Sequence, residues 1–200
     1  MNLRPALAAS LLATALLASS SRSEAFERQW HVGGSFGYTA LMGDQQTRHG
    51  LGGGLHLTYG LSDALNLMAT VNVSGHFGRL GEVPVDADGK PTGPAVPVPG
   101  VVLATGAVGV GYVVDVLQWV PYVGALVGAA DLIDVSGTCD AVGAPCHGMR
   151  LNLEVPFGLD YSISRSVAVG VGGRYQLLIG GPAIEHGLTG LLRAEYIWGY

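Results

Sequence analysis

The chain is predicted to be all-β, an eight-stranded antiparallel up-and-down transmembrane β-barrel. Three observations predict it. Apolar residues alternate with glycine and polar residues at a period of two over eight separate stretches, which is the pleat of a strand and not the repeat of a helix. The connections between these stretches are short and long by turns, as in a barrel with tight turns at one end and loops at the other. Composition agrees: 32 of 200 residues are glycine and 12% are charged, against usual shares of about 7% and about 25%.

The same composition removes other classes. No glycine-every-third period runs through the chain, so it is not collagenous. A hydrophobic content of 48% is incompatible with the low-hydrophobicity signature of disorder. A formal charge of −5 offers no basic face for nucleic acid. Two cysteines cannot make a disulfide scaffold.

The N-terminus is read separately. Arg4 precedes an apolar run from Ala6 to Ala18, which suits a signal-peptide core and is shorter than the roughly 20 residues of a spanning helix. Ser23-Glu24-Ala25 then puts small side chains at −3 and −1 of a cleavage site after Ala25, with a cut after Ser20 as the alternative. Residues 1–25 are therefore expected to be a signal peptide and residues 26–200 the barrel domain. Losing Arg4, Arg22 and Glu24 takes the charge from −5 to −6.

The strands follow in order. Trp30, Val32, Phe36 and Tyr38 oppose His31, Gly33, Ser35, Gly37 and Thr39. From Leu51, the odd positions Leu51, Leu55, Leu57, Tyr59 and Leu61 oppose Gly52, Gly54, His56, Thr58 and Gly60. After Ser62-Asp63-Ala64 the pattern resumes with Leu65, Leu67, Val71, Val73 and Phe77 against Asn66, Met68, Thr70, Asn72, Ser74 and His76. A fourth strand sets Val102, Val108, Val110, Tyr112 and Val114 against Thr105, Ala107, Gly109 and Gly111, and a fifth is led by Val120, Tyr122, Leu126 and Ala130. The sixth places Met149, Leu151, Leu153, Val155, Phe157, Leu159 and Tyr161 against Arg150, Asn152, Glu154, Gly158 and Asp160. The seventh opposes Val167, Val169, Val171, Tyr175 and Leu177 to Ala168, Gly170, Gly172, Arg174 and Gln176. The last opposes Leu188, Leu192, Ala194, Tyr196, Trp198 and Tyr200 to Thr189, Leu191, Arg193, Glu195 and Gly199.

The connections near 62–64, 115–118 and 162–164 are short, and those at 42–48, 78–100, 133–147 and 178–187 are long. Backbone groups in lipid must pair internally, which a closed sheet achieves without an edge. The short-turn end collects Trp30, Tyr59, Tyr112, Tyr122, Tyr161, Tyr196, Trp198 and Tyr200, an interfacial girdle on the periplasmic side. Trp119 falls off the parity of this set. Two features resist the reading. Val101 to Ile133 is apolar apart from Asp115, Gln118 and Asp131, so two short membrane helices compete there, although each half is too short to span. Pro156 removes a ladder donor and calls for a bulge near the periplasmic rim. A soluble exported β-sandwich or barrel is the other competing fold.

The turn phrases Tyr59-Gly60-Leu61-Ser62-Asp63 and Asp160-Tyr161-Ser162-Ile163-Ser164, with the closing Ala194-Glu195-Tyr196-Ile197-Trp198-Gly199-Tyr200, resemble the small outer-membrane β-barrel proteins of Gram-negative bacteria, of the outer-membrane protein A and W types. That resemblance implies an outer-membrane location, contact with outer-membrane lipids, and recognition of the terminal aromatic by the barrel-assembly machinery. It carries no catalytic residue and no cofactor.

Five charges share the inward parity of the last three strands: Arg150, Glu154, Arg174, Arg193 and Glu195. Simple hairpin register places Glu154 opposite Gly172, diagonal to Arg174, with Arg193 beside the same glycine. The expectation is a lumen network with Glu154 between two guanidiniums, since an eight-stranded barrel is just wide enough for side chains to fill and buried charges need partners. A conducting constriction is the alternative. His56 and His76 share the lumen parity, but His56 pairs with Thr70, which leaves His76 about 20 Å away at about 3.3 Å per residue. His49, His147 and His186 fall at the loops, and no metal site is expected. Ser74 and His76 faintly resemble the pair of outer-membrane lipid A deacylases, in reversed order and with only the loop residue Glu82 as a candidate orienter. Cys139 and Cys146, in the third long loop, are expected to form a disulfide in the oxidising envelope. Asp86-Ala87-Asp88-Gly89 reads as a surface turn and not as a calcium loop. The functional expectation is a non-enzymatic envelope barrel with a structural or surface-interaction role. A narrow, porin-like pore for small solutes and a lipid-modifying enzyme are the alternatives.

Overall fold

The computed structural model describes residues 27–43, 47–80, 90, 93, 97–98, 100–134, 147–181 and 184–199. Residues 1–25, expected to be a signal peptide, and Glu82, Asp86, Asp88, Cys139, Cys146 and Tyr200 lie outside them. Ten strands occur in chain order: β1 (Trp30–Met42), β2 (Thr47–Gly60), β3 (Leu65–His76), β4 (Arg79–Leu80), β5 (Pro97–Val98), β6 (Val101–Val113), β7 (Trp119–Asp134), β8 (His147–Ser164), β9 (Val167–Ile179) and β10 (Glu185–Trp198). Eight of them close an antiparallel barrel in the order β1-β10-β9-β8-β7-β6-β3-β2, while β4 and β5 pair only with each other inside the second long connection. Every barrel strand pairs with its chain neighbour, and β1 closes on β10. The apolar stretch from Val101 to Ile133 is thus the hairpin β6–β7 and not a pair of helices.

The alternation sorts side chains as the pleat requires. Val32, Phe36, Leu55, Val71, Val108, Leu151, Val171 and Leu192 face outward and are exposed, while His31, His56, Asn72, Thr105, Asn152, Glu154, Arg174 and Glu195 are buried inside. A continuous exposed apolar surface of this kind is foreign to soluble domains.

Strand β7 reverses the expected faces. Val120, Tyr122, Leu126 and Ala130 are buried in the lumen, and Trp119, Val123 and Val127 are outside. Both of its faces are apolar, so alternation alone does not orient it. What decides is the lumen itself, where Tyr122 packs with Val113 and Val120, and Leu126 packs with Met68 and Ala107. Trp119 thereby falls into line with the outer aromatics and meets its register partner Tyr161 at a tilt, with ring centroids 4.8 Å apart.

Loop lengths contrast less than expected. The strands run further than their apolar cores, leaving only 43–46 and 180–184 at two of the connections at the long-loop end. Gly180 permits the second of these turns, with φ of 115°. Pro156 makes no bulge either. It stands mid-strand, facing the lumen, and the β7–β8 register is the same on both sides of it, with only Gly124 and Ala125 unpaired across from Val155 and Pro156. The missing N–H interrupts the ladder without shifting it.

One strained position yields a prediction. Leu117 sits at the tip of the β6–β7 turn with φ of 62°, between the backbone bonds that join Val116 and Trp119, and is 93% exposed. Left-handed backbone costs a bulky residue about 1 to 2 kcal/mol, and asparagine tolerates it better. Leu117→Asn should therefore raise stability by about 1 kcal/mol, read as a higher urea midpoint.

Candidate functional site: a layered lumen

The polar side chains of the sequence converge inside the barrel, where they form layers. At the short-turn end, Glu195 of β10 lies 2.8 Å from His56 Nε2 and 3.3 Å from His31 Nδ1. An ionised carboxylate only accepts, so its bond with His31 carries an imidazole N–H, whereas His56 Nε2 also lies 3.1 Å from the donor Arg193 Nη2 and serves one of the two. Arg193, two residues back on the same face, pairs with Glu195 and places its Nε 3.3 Å from Asp160 Oδ1. Its guanidinium lies over the Tyr122 ring, 4.3 Å from the centroid, where the ring quadrupole attracts a cation. A cavity of about 40 Å³ adjoins this cluster, enough for water to reach imperfectly satisfied atoms such as Arg193 Nε and Asp160 Oδ1.

Further along, Glu154 is 1% exposed. Arg174 Nη1 lies 3.8 Å from it, and Thr70, Gln176 and Asn152 donate to it at 3.4, 3.4 and 3.5 Å. Toward the long-loop end the filling changes character. Leu41, Val101, Leu103, Ala130 and Leu178 make a buried apolar layer, with Leu132 packed against it. Beyond it Arg150 Nη1 holds Glu185 at 2.8 Å.

The five expected lumen charges are therefore inside but split into three groups. Glu154 does meet Arg174 diagonally, and His56 does pair with Thr70. Glu154 does not meet Arg193: it stands opposite Gln176, and Arg193 stands opposite Gly170. Both ladders depart from simple hairpin register. Strand β8 continues to Ser164 and β9 begins at Val167, so the β8–β9 turn lies further along the chain and Glu154 pairs beyond Gly172, while the β9–β10 ladder sets Arg193 on the other side of that glycine. Asp160, His31, His56 and Tyr122 complete the Arg193 cluster. Inward parity identifies the first three; Tyr122, expected in the outer girdle, faces the lumen because β7 turns its other apolar face to the lipid side.

The remaining aromatics of the girdle, Trp30, Tyr59, Tyr112, Tyr161, Tyr196 and Trp198, stand on the outer parity near the short turns. Trp30 lies directly across from both Tyr59 and Trp198, with ring centroids 4.6 and 6.5 Å apart. Ser74 Oγ is 3.1 Å from His76 Nε2, and His76 Nδ1 is 3.3 Å from the Arg48 carbonyl. His76 is thus oriented by backbone. Among the described residues no three ligating side chains converge on a metal-sized site.

Glycine makes room for this filling. A Cβ on Gly158 would meet the Tyr122 ring within 2.7 Å, whereas one on Gly75 would meet nothing within 4 Å. Gly158→Ala should lower stability by about 1 to 3 kcal/mol through overpacking and displace Tyr122 from Arg193. Gly75→Ala should be near neutral by the same urea titration.

No protein-family model matches the chain, and no curated protein matches its sequence. Solved structures do resemble it. Neisserial surface protein A is 15% identical with a TM-score of 0.58, covering 86% of this chain and 97% of that one. The outer membrane protein OprG of Pseudomonas aeruginosa is 13% identical with a TM-score of 0.53, covering 87% and 97%. The N-terminal β-barrel domain of OprF from the same organism is 11% identical with a TM-score of 0.52, covering 86% and 98%. At these identities the likeness establishes the fold, a small closed eight-stranded barrel, over nearly the whole of each chain.

Proposed function

We propose that the chain is an integral outer-membrane barrel of a Gram-negative envelope, exported on residues 1–25, whose role is structural or lies in surface interaction at its long-loop end. One observation carries this reading: the barrel is apolar on its outside and filled on its inside. The exposed stripe of Leu, Val, Phe, Tyr and Trp side chains suits hydrocarbon with aromatic margins, and the stacked polar and apolar side chains of the lumen support a plugged interior. Outer-membrane lipids are then the immediate partners, the barrel-assembly machinery acts during biogenesis, and Cys139 and Cys146 pin the third long loop as a disulfide.

The test is fractionation with heat-modifiable migration on gels, followed by planar-bilayer recording. The expected outcome is an outer-membrane protein that shifts on heating and shows no steady conductance. A soluble periplasmic product would overturn the location. Discrete conductance that Arg174→Ala enlarges would replace the plugged lumen by a narrow pore. Lipid hydrolysis abolished by His76→Ala would replace it by an enzyme.

A further inference from the structure

The six histidines divide evenly between the two faces of the barrel. His31, His56 and His76 are inside; His49, His147 and His186 have the outward parity and lie at the long-loop end of β2, β8 and β10. Two of the outer three repeat one arrangement. The hydroxyl of Tyr38 on β1 bonds Nδ1 of His49 on β2, with the rings stacked at 5.8 Å. The hydroxyl of Tyr175 on β9 bonds Nδ1 of His186 on β10 at 2.6 Å, with ring centroids 6.0 Å apart. Both are diagonal cross-strand pairs: His49 stands opposite Ala40 and His186 opposite Leu177, each two residues from its tyrosine.

The pair has one arrangement that offers a donor outward. With the phenol O–H assigned as donor to Nδ1, the ring proton sits on Nε2, and each imidazole presents one N–H, held by its tyrosine at the margin of the apolar stripe. The two histidines flank the end of β1, opposite Ala40 and Met42. Two strand spacings of about 4.8 Å, with an offset of two residues along β1, put them about 12 Å apart across it. On this sector the nearby acid is turned away. Glu185 faces the lumen and is held by Arg150 at 2.8 Å, so among the described residues Thr47, His49, Tyr38, Tyr175 and His186 form the outer polar margin here, and none of them is a carboxylate. A margin of this kind, directly above apolar side chains, is complementary to an anionic oxygen at the lipid headgroup level.

We propose that His49 and His186, each oriented by its tyrosine, form a binding surface for the phosphate of an anionic lipid headgroup in the leaflet at the long-loop end. The proposal rests on the membrane reading above. His147 belongs to a different arrangement, since its Nδ1 is 2.9 Å from Asp131 on the same outer face, and a carboxylate there opposes an anion.

The experiment uses the full chain reconstituted in phosphatidylcholine vesicles with spin-labelled lipids, reading the motionally restricted fraction of labelled phosphatidic acid against labelled phosphatidylcholine. Wild type should prefer phosphatidic acid about threefold, the scale of a few exposed charge-assisted hydrogen bonds. His49→Ala with His186→Ala should bring the ratio close to one. His49→Gln with His186→Gln, which keeps an N–H donor, should retain most of it. Tyr38→Phe with Tyr175→Phe should lower it, because the ring then loses its fixed tautomer. Heat-modifiable migration of each variant verifies the fold. An unchanged preference in the double alanine variant, or none in wild type, would overturn the proposal. A preference abolished by inorganic phosphate would reassign the sites to the free anion and overturn it likewise. Absence of any motionally restricted lipid would instead show that the barrel is not in the bilayer, and the membrane reading would fall first.

Discussion

Glu154→Gln is expected to destabilise the barrel by about 3 to 5 kcal/mol, the range for removing one partner of a buried ion pair, reduced to the extent that lumen water relieves it. The substitution keeps size and shape, so the loss isolates charge. Arg174 is 7% exposed and its Nε has no hydrogen-bond partner among the described residues, which leaves the Glu154 carboxylate at 3.8 Å as the charge that balances it. Thr70, Asn152 and Gln176 all donate to the same carboxylate, and a neutral amide cannot accept from all of them equally. Replacing both members, Glu154→Leu with Arg174→Met, should recover most of the loss, because neither charge is then left buried alone. Urea unfolding from lipid vesicles measures both variants and each single change. A double variant as unstable as the sum of its singles would show that the two residues act independently, and the pair would not be the source of the effect.

The fold was legible because a barrel in contact with lipid must write its two faces into alternate residues. Leu51, Leu55 and Leu57 against Gly52, His56 and Thr58 could only be a strand with one apolar side, and the outer parity of β1, β2, β3, β6, β8, β9 and β10 follows from the sequence. Strand β7 shows the limit of that logic. Trp119, Val123, Ala125 and Val127 alternate with Val120, Tyr122, Leu126 and Ala130, so both faces are apolar and period alone carries no sign. Its orientation comes from contacts with Met68, Ala107 and Val113, residues on other strands whose height in the lumen depends on register.

Register is also what separated the charges from their partners. Inward parity groups Arg150, Glu154, Arg174, Arg193 and Glu195 on one face, but a turn displaced along the chain slides a whole ladder, and each slide exchanges the neighbours of every side chain on it. The apolar layer of Leu41, Val101, Leu103, Ala130 and Leu178 was invisible for the same reason. Its members come from four strands, and no local pattern announces that they meet at one height. Tyr38 with His49, and Tyr175 with His186, lay in plain view on hairpins of known parity, yet they draw attention only once the ladder shows that both pairs have the same diagonal geometry.

Arg193→Met is expected to be at least as damaging as the loss of Glu154, about 3 to 5 kcal/mol, because it strands two carboxylates at once. Asp160 and Glu195 have side chains 7% and 6% exposed, and Arg193 pairs with both. Glu195 keeps His31 and His56, so Asp160 suffers more, and Asp160→Asn introduced beside Arg193→Met should restore part of the stability. Arg193→Lys should fall between wild type and Met, since an ammonium keeps the charge but loses the forked geometry and the flat face that rests on Tyr122. Double-mutant cycles then test the register directly. Arg193 with Asp160 should couple by about 0.5 to 3 kcal/mol, whereas Arg193 with Glu154 should be additive within about 0.5 kcal/mol. The reason is distance along β8: Arg193 stands opposite Gly170, which pairs with Asp160, and Glu154 lies six residues further on, about 20 Å at strand rise. Strong coupling between Arg193 and Glu154, with none to Asp160, would mean that β8 and β9 pair in the register of a turn centred at Ser162 to Ser164 and that the lumen layers are assembled from different residues.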